Sequence, residues 1–217
     1  MKIGIDLDGC LADFNGPFTS LLVEISGKDR EVDVGGGWTL PISQAVRMLD
    51  VYPNCWDYPE AGGYSAEEVS RTWAAIINNP NHFWSHLPPL PDAFDALDVL
   101  RCSIAHHHEV YFITSRVGIC AQEASAAWIV RQGGPRHAAV ILCPGERKHL
   151  LADDLHLDAV IDDKQGTVEA YAFMAAGQNR RTYLMKQPWN AGLIRTPSEG
   201  GRVVGSVLEM LKAEGLA

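Results

Sequence analysis

Residues 2–14 read Lys-Ile-Gly-Ile-Asp-Leu-Asp-Gly-Cys-Leu-Ala-Asp-Phe, and no other stretch limits the chain as tightly. A short apolar run ends in two acids one residue apart, Asp6 and Asp8, followed at once by Gly9. An extended strand sends residues i and i+2 to the same side, so both carboxylates project together. Side by side they repel unless a cation or a shared proton intervenes. Open α/β sheets place ligands at the carboxyl ends of their strands, and Gly9 lets the chain turn sharply there. Asp and Gly are also ordinary turn formers, yet one chemistry uses every feature. Asp6 attacks phosphorus as a nucleophile and Asp8 gives a proton to the leaving oxygen, with Mg2+ offsetting the charge between them.

The remainder of the chain alternates. Phe18, Leu21, Leu22 and Ile25 recur at helical spacing up to Gly27. Gly35-Gly36-Gly37-Trp38 reads as a flexible hinge carrying an aromatic, Ile42, Val46 and Leu49 as a short helix, and Val51 to Tyr64 as loop. Ser65 caps a helix to about Asn78, and Pro88-Pro89-Leu90-Pro91 returns the chain to the main domain. Asp92 then caps a helix bearing Phe94, Leu97 and Leu100. Strands follow at 109–114, 138–142, 157–161 and 181–185, with helices at 122–132, 166–176 and 203–211. This rhythm predicts a doubly wound parallel α/β sheet. The expected division is a core of residues 1–14 and 88–217, with a small, mainly helical insert at 15–87 after the first strand.

Of the 217 residues 47% are apolar and 21% charged, enough for a core and against disorder. A net charge of −9 argues against stable nucleic-acid binding. Cys10, Cys55, Cys102, Cys120 and Cys143 are scattered without a C-x-x-C pair, so neither a zinc site nor a disulfide framework is expected. Cys10 beside two carboxylates would be a poor thiol nucleophile, and His106-His107-His108 reads as a surface turn. No basic leader precedes the first strand and no apolar run approaches about 18 residues; the expectation is a cytoplasmic protein outside the membrane. Oligomeric state stays open, a homodimer among the options.

Two later strands also end in polar residues: Ile113-Thr114-Ser115-Arg116, whose hydroxyl can donate to a phosphoryl oxygen, and Ile161-Asp162-Asp163. A cation must offset these acids. The chain has six lysines that could supply it: Lys2, Lys28, Lys148, Lys164, Lys186 and Lys212.

Asp6/Asp8, Thr114 and Asp162/Asp163, in this order, resemble the first, second and fourth motifs of the haloacid dehalogenase (HAD) superfamily; the resemblance implies a lysine between the second and fourth, an interval that holds Lys148 alone. The longer string DLDGCLADF, together with Ser65 to Pro91, Trp128 and Gln187-Pro188-Trp189-Asn190, is similar to the 5'(3')-deoxyribonucleotidase family of cytosolic and mitochondrial type. The resemblance implies a HAD-like core with a cap, and a Mg2+-dependent phosphatase removing phosphate from nucleoside monophosphates, commonly deoxyribonucleotides. The metal would sit on Asp6, the main-chain carbonyl of Asp8, and Asp162 or Asp163. Thr114 and Lys148 would hold the phosphoryl group, and Phe14, Trp38, Trp73 and Phe83 the base. Ser115 and Arg116 join the substrate side. The family's lysine on the helix containing Trp128 is replaced here by Glu123-Ala124-Ser125, which leaves Arg116 or Lys164 to compensate. Two rivals remain: a HAD phosphatase for another small phosphorylated metabolite or a nucleic-acid 3'-phosphate, and a non-catalytic nucleotide-binding regulator.

Overall fold

In β1, Lys2–Ile5, the side chains of Ile3 and Ile5 are fully buried, as a central parallel strand requires. A computed structural model describes residues 1–46, 62–190 and 201–217. The expected loop at 51–61, the end of the short helix at Leu49, and Cys55 lie outside the described residues. After β1 come α1 (Asn15–Ser26), a hairpin of β2 (Glu31–Gly35) and β3 (Trp38–Pro41), the short α2 (Ile42–Ala45), α3 (Ala66–Asn78) and α4 (Pro80–Trp84). The chain continues with α5 (Ala93–Ala105), β4 (Glu109–Thr114), α6 (Ala121–Arg131), β5 (Ala139–Leu142), α7 (Lys148–Asp154), β6 (Ala159–Asp162), α8 (Gln165–Met174), β7 (Arg181–Met185), β8 (Gly201–Val204) and α9 (Val207–Ala213).

The six-stranded sheet runs β5-β4-β1-β6-β7-β8, every neighbouring pair parallel. Alternate strand residues feed two cores. Phe112 and Ile161 join the larger cluster with Leu97, Leu100, Trp128 and Met210 of α5, α6 and α9. Ile113 and Val160 join the smaller one with Ala152 and Tyr171 of α7 and α8. Helices therefore cover both faces, the doubly wound fold expected. β1 lies centrally with β4 and β6 on either side, so the loops bearing Asp6/Asp8, Thr114–Arg116 and Asp162/Asp163 leave one edge together.

Several local readings change. Val203 and Val204 do not open the last helix; they pair with Leu184 and Met185 as an edge strand, and Ser206 then caps α9 by accepting from the Glu209 N–H. The glycine run is a hairpin turn: Gly36 and Gly37 have φ of 65° and 79°, which suits a two-residue connection. Asp92 precedes α5 with φ 63° and makes no side-chain cap, and Phe94 faces outward. Ser65 does cap α3, in a reciprocal box with Glu68.

The chain on either side of residues 15–87 is paired. Asp13 N–H donates to Pro88 O and Leu90 N–H to Leu11 O, both at 2.8 Å. α4 and the residues after it are fastened to α6 and the loop before it: the Trp84 indole donates to Val117 O, the Trp128 indole to Leu87 O, and Arg131 to Ser85 O. Among the described residues no helix is long and apolar enough to cross a membrane.

Candidate active site

Asp6 stands just past the end of β1, its N–H still donating to Ile161 O of β6. Its carboxylate accepts from Leu7 N–H at 2.8 Å and pairs with Lys148 Nζ at 2.9 Å. Lys148, the first residue of α7, reaches Asp162 Oδ2 at 2.8 Å with its ammonium almost wholly buried. The other Asp162 oxygen accepts from Lys164 N–H at 2.9 Å. One cation thus joins the end of β1 to the end of β6. Burial alone would lower the Lys148 ammonium, but Asp6 and Asp162 outweigh it and hold it well above its usual value.

Carboxylate oxygens of Asp6, Asp162 and Asp163 all lie within 4.8 Å of one another, and all three residues are buried. Ionised, they would leave the pocket two negative charges in excess over Lys148, which a buried site does not sustain. Burial, with Asp162 and Asp8 nearby, accordingly pushes Asp6 up to about 7 despite Lys148. Burial, then Asp162 and Asp6, pushes Asp163 well above the carboxylate range. Asp163 Oδ2 accepts from the Trp189 indole at 2.9 Å, while Oδ1 is buried with no protein partner. Hard oxygen donors, an orphaned oxygen and a surplus of two negative charges fit a small divalent cation such as Mg2+.

Asp8 stands apart. Both its oxygens accept from Arg116: Nε at 3.2 and 3.0 Å, and Nη2 at 2.8 Å. Its carboxylate is therefore outside the three-acid cluster. Arg116, expected on the substrate side, has a side chain with 0% exposure and faces Asp8 instead. Thr114 is buried at the end of β4, and its Oγ1 accepts from Arg116 N–H at 3.4 Å. The Ser115 hydroxyl donates to Cys143 O at 3.1 Å and lines a cavity of about 690 Å3 beside Asp163, Lys164 and His149. Burial first, then Asp6 and Asp163, raises the Cys10 thiol well above its usual value, so it stays protonated.

Of the expected base-binding rings, three converge. Phe14 stacks on Trp73 at 5.6 Å and meets Phe83 edge-on at 6.0 Å; Phe18 and Trp84 complete the cluster. Trp38 is not brought to them: at the mouth of the hairpin its side chain is 74% exposed.

Sequence reasoning missed what Gln187-Pro188-Trp189-Asn190 does. Besides the Trp189 bond, Gln187 donates to Gly9 O at 2.7 Å and Asn190 to Asp163 O at 2.8 Å. The loop after β7 therefore clamps the two acidic loops together. Gly9, with φ 79°, allows this approach, since a Cβ there would collide with the Asp163 carboxylate. A run of amide and indole donors directly after a buried strand was the available signal.

No protein-family model matches the sequence, and no curated protein matches it either. Solved structures do match along the whole chain. A haloacid dehalogenase-like hydrolase from Burkholderia xenovorans aligns over 100% of this chain and 98% of its own, with a TM-score of 0.58 and 14% identity. CbbY from Rhodobacter sphaeroides, solved with phosphate, covers 96% and 95% at a TM-score of 0.54 and 11% identity. The magnesium-bound HAD hydrolase YfnB from Bacillus subtilis covers 99% and 98% at 0.53 and 13%. The fold is that of the haloacid dehalogenase-like hydrolases.

Proposed function

We propose that the protein is a Mg2+-dependent phosphomonoester hydrolase of the HAD type, acting on nucleoside monophosphates through an aspartyl-phosphate. The observation that carries this reading is the Asp6–Lys148–Asp162 bridge with the orphaned Asp163 oxygen beside it. Asp6, Asp163 and the main chain of Asp8 would hold Mg2+, Asp163 being favoured over Asp162 because its Oδ1 is buried without a protein partner. When bound, the metal neutralises charge on the phosphoryl oxygens and on Asp6. Lys148, paired with Asp6, would also meet a phosphoryl oxygen, and Thr114 at the end of β4 would offer it a hydroxyl. Asp6 forms the bond to phosphorus as the ester P–O bond breaks and Asp8 protonates the departing oxygen. Asp8 then takes the proton of the water that releases phosphate.

Residues 15–87 are proposed as the cap, and Phe14, Trp73 and Phe83 as its contact with a base. Trp73 and Phe83 are partly open, which supports that role. A second reading, a more polar phosphorylated metabolite, is favoured by the cavity of about 690 Å3, whose lining includes Glu146, His149, Lys164 and Gln165. A panel of nucleoside monophosphates and other phosphorylated metabolites, assayed with Mg2+, separates the two. Asp6→Asn should abolish turnover, by on the order of 10^4-fold or more, with the fold intact. Undiminished phosphatase activity in that variant removes the mechanism.

A further inference from the structure

The Arg116 guanidinium is immobilised from every side. Nε and Nη2 hold Asp8, and Nη1 donates to Ser125 Oγ at 3.1 Å. Ser125 can accept because its own hydroxyl donates to Ala121 O at 2.6 Å, within α6. The guanidinium carbon lies 5.1 Å from the Trp84 ring centroid and 5.8 Å from that of Trp128, between α4 and α6. Neither ring can slide, since each indole N–H is bonded across the seam, to Val117 O and Leu87 O. The far end of this assembly is one carboxylate on a tight turn, where Cys10, Leu11 and Ala12 N–H groups all donate to Leu7 O.

We infer that Arg116 is the positioning residue of the acid–base step, fixing where the Asp8 carboxylate delivers and collects its proton, and that it does not bind the phosphoryl group. This rests on the phosphatase reading above. A ligand for phosphate needs a guanidinium open to the pocket; this one has no exposed surface. A group that moves a proton in two successive steps needs one orientation kept through both, because misplacement of a reacting group is costly in rate. In the first step the Asp8 proton goes to the leaving oxygen as the Asp6–phosphorus bond forms. In the second, water oxygen bonds to phosphorus, the Asp6–phosphorus bond breaks, and the water proton goes to Asp8.

The test compares Arg116→Lys and Ser125→Ala with wild type, with Mg2+, on a nucleoside 5'-monophosphate and on p-nitrophenyl phosphate, by steady-state and stopped-flow kinetics. The nitrophenolate leaves without needing a proton, so only its second step depends on Asp8. For Arg116→Lys, kcat on the nucleotide falls about 100-fold with KM within about twofold. On p-nitrophenyl phosphate the first nitrophenolate is released at close to the wild-type rate, and turnover after it is slowed as much as for the nucleotide. Ser125→Ala, which leaves the ring sandwich in place, shifts the same quantities about tenfold less. A raised KM with kcat preserved would make Arg116 a phosphate ligand and overturn the inference. Equal slowing of the first release on both substrates would reduce it to a packing role and overturn it too, as would unchanged turnover. A wild-type protein inert toward both esters defeats the function itself, a separate result.

Discussion

Two flanks of the molecule, the acid cluster and the ring cluster, are built on different physics. On the sheet side, buried charges are placed by single hydrogen bonds: Lys148 joins Asp6 to Asp162, Trp189 holds Asp163, and Lys164 N–H fixes Asp162. In the ring cluster, Phe14, Phe18, Trp73 and Phe83 pack on one another. Moving a buried charge by an ångström costs far more than sliding one ring on another. The first flank therefore tolerates one arrangement, and the second several. Under the proposed function, chemistry would fall to the rigid flank and choice of substrate to the adaptable one.

Lys148→Met strikes that contrast hardest. It leaves Asp6 and Asp162 facing each other without their shared cation, which costs about 3–5 kcal/mol of stability near neutral pH. Activity should fall on the order of 10^3-fold. Acid should partly rescue the fold, because protonated carboxyls need no cation. Urea unfolding at pH 5 and pH 8 checks this; an equal loss at both would mean that Lys148 acts through packing alone.

A smaller effect follows from Asp6. Its folded carboxyl is raised from 3.8 to about 7, so across that interval the unfolded chain releases a proton that the native protein keeps. Native stability without metal is then complete below about pH 4 and declines as pH rises to about 7. Asp163, also raised, adds in the same direction. Under the proposed function Mg2+ would be held by the ionised carboxylates and should reverse the loss, raising Tm by about 5–10 °C at pH 8 and by little at pH 5. Thermal melts with Mg2+ and with EDTA at both pH values measure it. The same shift at both would place the ion elsewhere.

The same contrast explains what could be read before any coordinates. That Asp6, Asp162 and Asp163 meet was legible because each follows a short apolar strand and a parallel sheet brings strand ends to one edge, and Lys148 was legible from the resemblance, as the lysine between Thr114 and Asp162. Partners across the sequence were not. Nothing local says that Arg116 turns to Asp8 108 residues away, or that Trp189 reaches back 26 residues to Asp163. The edge strand 201–204 was lost because two valines before a helix satisfy both periodicities. The Gly36-Gly37 turn was read as a hinge because glycine permits both a tight turn and a flexible segment, and only the pairing of Gly35 with Trp38 decides.

The weakest expected effect tests the adaptable flank. Trp73 is half-buried and stacked on Phe14, and stacking a base on such a ring is worth about 1–3 kcal/mol. Trp73→Ala should therefore raise KM for a nucleoside monophosphate at least about fivefold, and KM for p-nitrophenyl phosphate by less. Trp38→Ala, on an exposed hairpin away from the ring cluster, should change either by less than about twofold. If both esters suffer equally in Trp73→Ala, the rings serve as packing for the inserted helices, and the substrate must be sought in the polar cavity beside His149 and Lys164. If Trp38→Ala instead proves the more damaging, the hairpin reaches the substrate when it binds, and the adaptable flank extends from the ring cluster to β3.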